Sequence, residues 1–199
     1  MKTKNIIKDK KYKNQNQKSQ NLYDSESEFS ETDAESILEL DESESLLKEI
    51  SYTLSSIISK NNESKPSKNE NLAFNTRHVP KITIFEYLLR IKKYSKIENS
   101  TIIISLIYID RICKKNQITL SKYNIHKLLF TANLISAKYN EDIIYDNSFY
   151  SKIAGVPAGE LMNLEKSFLK MIDFELFISE EIYKKYYDYL NYYEKHPCN

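Results

Sequence analysis

Glycine is nearly missing from these 199 residues, and Gly155 and Gly159 are the only two. A phosphate-cradling loop of the P-loop, Rossmann or protein-kinase kind needs several glycines close together, because its backbone turns tightly and approaches the phosphates. Nucleotide-binding enzymes of those classes are thereby excluded. Cysteine is as scarce. Cys113 and Cys198 stand singly and far apart, and His78, His126 and His196 form neither an HExxH motif nor any Cys/His metal spacing. That pattern points to a reducing compartment and no structural zinc. Long apolar runs are lacking too: no window of about 18 apolar residues occurs, and the Lys- and Asn-rich start has no apolar stretch of the signal-peptide kind. The expectation is a soluble intracellular protein of the nucleus, the cytoplasm or both, with no membrane partner. No acid/base pair, activated nucleophile or metal set stands at usable spacing, so no catalytic residue, cofactor or metal is expected.

The formal net charge of +1 conceals a segregation. Residues 1–20 carry seven Lys against one Asp, residues 21–47 carry ten acidic groups and no basic one, and residues 78–199 carry 17 basic and 14 acidic groups. A nucleic-acid binder needs a basic face to neutralise phosphates, and the nearly neutral C-terminal part offers none. No nucleic-acid partner is expected. Residues 1–77 read as a mostly disordered tail, basic and then acidic. Lys8–Lys13 has the composition of an import signal, although a solvated tail is the commoner reading. Ser25, Ser27, Ser30, Thr32, Ser36, Ser43 and Ser45, set among Asp and Glu, fit acid-directed kinases, and an acidic Ser-rich tail that only keeps the protein soluble fits the same pattern equally well.

Within that tail, residues 32–60 carry a helical pattern. Thr32 and Glu35 have capping-box spacing, and Leu40, Leu47 and Leu54 with Ile50 and Ile57 form a heptad-like stripe. A single such helix cannot bury its stripe alone, so it packs on the domain, pairs with a partner, or remains partly formed. Asn61–Asn75, with Pro66, reads as a linker, and the domain is expected over 78–193 with a tail at 194–199.

Inside the domain, Ile84, Tyr87, Leu88 and Ile91 share a helical face, with Pro80 near its start. Ser100 or Thr101 is placed to cap the next segment, IIISLIYIDRI. Its β-branched content favours a strand, yet its length and its helical flanks favour a buried helix. From Asn124 to Asp142, Leu128, Leu129, Ala132, Ile135 and Tyr139 make one apolar stripe, while Phe130, Leu134 and Ala137 cover the other side. A helix apolar nearly all round belongs in the middle of a bundle. Lys138 breaks that pattern where the helix surfaces. A short helix ending at Gly155, one opened by Pro157 with Leu161, Leu164, Phe168, Met171 and Ile172 on one face, and a last one from Ser179 to about Tyr193 complete the series. The fold class is therefore an all-α bundle with short connections.

Four segments then resemble a known family: YIDR at Tyr108–Arg111, AKYNED at Ala137–Asp142, NSFYSKIAGV at Asn147–Val156, and NLEKSFL from Asn163. In order and spacing they resemble the cyclin box of the phosphate-pathway-type cyclins, also called P-type or U-type cyclins, over roughly Val79–Leu190. That resemblance implies a bundle of about five helices around a central third helix, with flanking helices. It also implies a regulatory subunit, not itself an enzyme, that forms a heterodimer with a cyclin-dependent protein serine/threonine kinase and activates it. By motif, the Lys and Glu that organise kinase binding in the family fall on Lys138 and Glu165. Asp110 resembles the acidic residue cyclins use for internal pairing, with Arg90 or Arg111 as candidate partners. Fewer than ten residues follow Leu190, so a single cyclin box is expected. A cyclin-fold interaction module that does not activate a kinase is the alternative reading.

Overall fold

Apolar residues spaced at three and four positions fold as seven helices among the described residues, 31–61 and 73–195 of a computed structural model, with side chains described for 43–61 and 73–191. They are α1 (Glu31–Asn61), α2 (Ile84–Ser95), α3 (Asn99–Asn116), α4 (Ile125–Asn140), α5 (Asn147–Ala154), α6 (Ala158–Met171) and α7 (Glu180–Lys195). No strand occurs among the described residues. Of the tail expected over 1–77, residues 1–30 with the import signal and Ser25, Ser27 and Ser30, and residues 62–72 of the linker, lie outside them, as do the last four residues. The candidate phosphorylation site Ser43, by contrast, is buried, at 7% exposure, with its hydroxyl bonded to Asn99. The chain divides into two units, Met1–Leu40 and Asp41–Asn199, and the helical bundle belongs to the second. Among the described residues no helix is long and apolar enough to cross a membrane.

The centre is α4. From Leu128 through Ala137 every side chain is buried, and α4 packs on α2, α3, α5 and α6. Its polar side chains within that stretch donate locally or across a close helix contact, and Asn133 Oδ1 alone among them is buried with no partner among the described residues. Thr131 Oγ1 donates to the Lys127 carbonyl at 2.7 Å, Asn133 Nδ2 to the Leu129 carbonyl at 2.8 Å, and Ser136 Oγ to the Thr101 carbonyl of α3 at 2.8 Å. A buried hydroxyl left without such a partner destabilises the fold. Tyr139, expected on the buried stripe, is 53% exposed instead, because α4 is by then leaving the core.

The β-branched segment is helical, as α3, with Ile102, Ile103, Ile107, Ile109 and Ile112 all buried. Burial on nearly every side overrides its strand propensity. Its start differs from the expectation. The first residue is Asn99, and the preceding Glu98 N–H donates to Glu141 Oε1, at the end of α4, at 2.8 Å. Ser100 and Thr101 therefore lie inside the first turn.

The start of α2 differs as well. Pro80 precedes the helix, and Thr83 with Glu86 forms a capping box: the Glu86 N–H donates to Thr83 Oγ1 at 3.2 Å, and the Thr83 N–H to Glu86 Oε2 at 2.9 Å. Those two bonds satisfy donors that a helix start otherwise leaves free. Thr83→Ala is expected to lower the melting temperature by a few degrees, and Thr83→Ser to restore most of it, in thermal melts followed by circular dichroism.

Gly155 closes α5 in the left-handed conformation at φ 73°, donating its N–H to the Ser151 carbonyl at 2.9 Å. Pro157 stands immediately before α6, whose Leu161, Leu164, Phe168 and Met171, with Ile172 just beyond, are buried as their spacing requires.

The stripe of α1 packs on this domain. Leu46, Leu47, Ile50, Leu54 and Ile58 are buried, while Ile57 stays 39% exposed. Polar bonds pin both ends of the docked part: Ser43 Oγ donates to Asn99 Oδ1 at 3.0 Å, and Asn61 Nδ2 to the Leu120 carbonyl at 3.1 Å. The core also begins before His78. Phe74 is 2% exposed and meets Phe168 edge-on at 6.1 Å, and the Thr76 N–H donates to the Tyr123 carbonyl at 2.9 Å.

The YIDR segment fastens the connection from α6 to α7. Tyr108 Oη donates to the Leu176 carbonyl at 2.7 Å, and the Arg111 guanidinium donates to the carbonyls of Glu175 at 2.9 Å and Phe177 at 3.1 Å. These bonds hold a turn in which Asp173 and Phe174 both have positive φ, 54° and 58°. Asp110 pairs with neither arginine. Its Oδ2 accepts from Lys114 Nζ and from Tyr186 Oη of α7, each at 2.6 Å. Arg90 donates to the Lys152 carbonyl at 2.7 Å.

Candidate functional site

Lys138 occupies the last turn of α4, where the exposed carbonyl end of a helix favours a cation. Glu165 lies midway along α6, next to buried Leu164 and one turn from buried Phe168. The two are 27 positions apart in sequence, yet Lys138 Nζ is 2.6 Å from Glu165 Oε1. Their side chains are 29% and 15% exposed, so the pair sits at the edge of the core, still open to solvent.

A third residue, Asn147, joins them. It is the first residue of α5, fixed there because the Asp146 side chain caps the helix by accepting the Phe149 N–H at 2.7 Å. Asn147 Oδ1 accepts from Lys138 Nζ at 2.8 Å, and its Nδ2 donates to Glu165 Oε2 at 3.3 Å. The three side chains thus close a ring across α4, α5 and α6. An ammonium has three N–H donors and each carboxylate oxygen has two lone pairs. After the ring is closed, Lys138 keeps one donor and each oxygen of Glu165 keeps an acceptor position. That residual capacity matches the two ends of a docked helix, whose last carbonyls need donors and whose first N–H groups need acceptors.

The resemblance singled out Lys138 and Glu165, and the fold brings them together. Asn147 was read only as part of the NSFYSKIAGV segment. The signal for it was the Asp146–Asn147 helix start, which places a short amide side chain on the first turn.

Apolar side chains surround the ring in sequence and on the same elements. Tyr139 is 53% exposed, Ile143 74%, Ile144 52%, Tyr145 40% and Met162 44%. Met162 precedes Glu165 by three residues on α6, which places it on the same helix face. Tyr145 meets half-buried Phe149 at 4.4 Å between ring centroids with the planes tilted by 36°, whereas Tyr150 turns inward and is buried. Exposed apolar groups on the elements that carry a fixed polar pair give the composition of a protein-binding surface. Among the described residues no three His, Cys, Asp or Glu side chains gather to hold a metal ion.

The second polar feature of α4 is His126, whose Nε2 donates to the Ile82 carbonyl at 3.0 Å and whose ring lies 5.2 Å from that of Tyr87. Its Nδ1 is buried with no partner among the described residues. Burial disfavours the imidazolium and holds the group below the ordinary histidine pKa of 6.5, against the opposing pull of the Ile82 carbonyl. As pH falls below about 6.5 the unfolded chain binds this proton first. The contribution to stability is therefore complete above that pH and is lost on descending toward the folded-state value. Melting temperatures measured at pH 7 and pH 5 are expected to differ less in His126→Gln than in the unaltered chain. An unchanged difference would show that other groups set the acid response.

Comparison with known proteins gives consistent matches. The family described as Cyclin matches residues 10–176. Cyclin-U2-1 of Arabidopsis thaliana is 39% identical over 114 residues, 57% of this chain and 51% of that protein. The PHO85 cyclin-like protein psl1 of Schizosaccharomyces pombe is 41% identical over 125 residues, 62% of this chain and 51% of that protein. PHO85 cyclin-7 of Saccharomyces cerevisiae is 38% identical over 127 residues, covering 58% and 45% of the two chains. The chain spans about half the length of these relatives.

Proposed function

The chain belongs to the cyclin family, with relatives of the P-type and U-type, and from that premise we propose that it is a regulatory subunit that binds and activates a cyclin-dependent protein serine/threonine kinase. The complex is a heterodimer acting in the nucleus, the cytoplasm or both, on cell-cycle or nutrient-linked phosphorylation. The observation that carries this reading is the ring of Lys138, Asn147 and Glu165, fixed where three helices meet and flanked by exposed Tyr139, Ile143, Ile144 and Met162. The apolar residues supply area to an interface, and the ring supplies oriented charge at its centre. A kinase helix seated there finds donors and acceptors already held in place, which lowers the entropic cost of ordering them on binding.

The test is reconstitution. The tagged full-length chain, expressed in its source cells, is expected to copurify with a protein kinase, and the purified pair to phosphorylate a substrate that neither component phosphorylates alone. Recovery of a kinase whose activity does not change on adding this chain would support an interaction module without activation. Repeated recovery without any kinase would overturn the reading.

A further inference from the structure

Where α1 lies across the bundle it does not fill the space beneath it. A cavity of about 540 Å³ remains between α1, α3 and α7, within the range of roughly 300–1,000 Å³ typical of small-molecule sites. Its walls are mainly aliphatic, with Leu54 and Ile57 from α1 and Leu106 and Ile109 from α3 among them. It lies on different elements from the ring of Lys138, Asn147 and Glu165.

Two charged residues reach the lining, Asp110 and Lys185, and they differ in state. Asp110 is already answered, by Lys114 Nζ and Tyr186 Oη on Oδ2. Lys185 is exposed and makes no ion pair among the described residues. Cys113 also borders the space. Burial, and secondarily the Asp110 carboxylate, raises its thiol pKa to about 12, so it remains a neutral apolar wall at physiological pH. An aliphatic chamber with one unanswered cation at its border is complementary to a molecule with one apolar chain and one anionic head. We infer that this cavity binds a long-chain carboxylate of the fatty-acid class, its chain between α1 and α3 and its head group on Lys185.

The chain of such a ligand gains by leaving water in proportion to its length, and the head group selects by charge. Bound there, it touches α1, α3 and α7 together and holds α1 against the bundle. This inference is independent of the kinase reading, since it concerns other residues and a different readout.

The test uses the full chain and dodecanoate below its micelle concentration, followed by titration calorimetry and by thermal melting. Saturable binding of one dodecanoate per chain is expected, with a melting temperature that rises with ligand concentration. Octanoate, with four fewer methylenes to bury, should bind about two-hundredfold more weakly. Lys185→Gln should weaken dodecanoate about fivefold while leaving dodecanol unchanged, as expected for loss of a charge at a solvent-exposed rim. Thr53→Phe, at a half-buried lining position on α1, should fill the space and abolish binding while circular dichroism shows the helices intact. No saturable binding, undiminished binding by folded Thr53→Phe, or equal affinity of Lys185→Gln and the unaltered chain would each overturn the assignment. Tighter binding of dodecylamine than of dodecanoate would overturn it as well, by making Asp110 the head-group partner.

Discussion

Lys138→Ala and Glu165→Ala are each expected to weaken kinase binding by about 30-fold to several thousand-fold, with a parallel loss of activation. The range follows from the cost of truncating a charge that becomes desolvated in a complex, roughly 2–5 kcal/mol, at about 1.4 kcal/mol per tenfold change. Stability should change far less. The pair keeps contact with solvent, at 29% and 15% side-chain exposure, so removing one member costs the fold on the order of 1 kcal/mol and a melting shift of a few degrees. Because both residues bond Asn147 as well as each other, the double variant should lose less binding than the sum of the single losses. Titration of each variant against the kinase, beside its melting curve, separates the two effects. A folded double variant that still binds and activates normally would refute the assignment of the site. A globally unfolded one would place these residues in the framework of the bundle.

Phe168→Ala is expected to have the largest effect on stability. Phe168 is 0% exposed and its ring meets Phe74 at 6.1 Å with planes 75° apart, an edge-on arrangement. Deleting such a ring removes its transfer free energy and leaves a cavity, together about 3–5 kcal/mol. In a chain of this size that lowers the melting temperature by roughly 6–20 °C, a large part of the 5–15 kcal/mol that holds a typical domain folded. Phe74→Ala should follow the same direction, with a coupling of about 0.5–1.5 kcal/mol between the two in a double-mutant cycle. A fragment beginning at Val79 lacks Phe74 and should melt below one beginning at Ala73. Equal melting temperatures for the two fragments would show that residues 73–78 contribute nothing to the packed core.

Hydrophobic period determined most of the helical segments and which of them is central. The stretch from Leu128 to Ala137 is apolar on every side, and such a helix gains stability only where neighbours cover it all round. Length and helical flanks made α3 a helix against its β-branched composition, and Gly155 and Pro157 marked the α5–α6 junction through local backbone preference. Lys138 was legible as the cation that breaks the apolar pattern where α4 surfaces, and Glu165 only because the segment around it resembles a family; nothing in their spacing joins the two. Tertiary structure decided the partners. Asn147 between Lys138 and Glu165, Glu141 on the Glu98 N–H, Tyr186 on Asp110 and Phe74 against Phe168 span separations of 9 to 94 positions. Period and propensity report only how a residue faces relative to near neighbours on its own helix. Which distant side chains meet depends on how the helices cross and how far each is rotated about its axis, and those angles are set by the packing of all the helices at once.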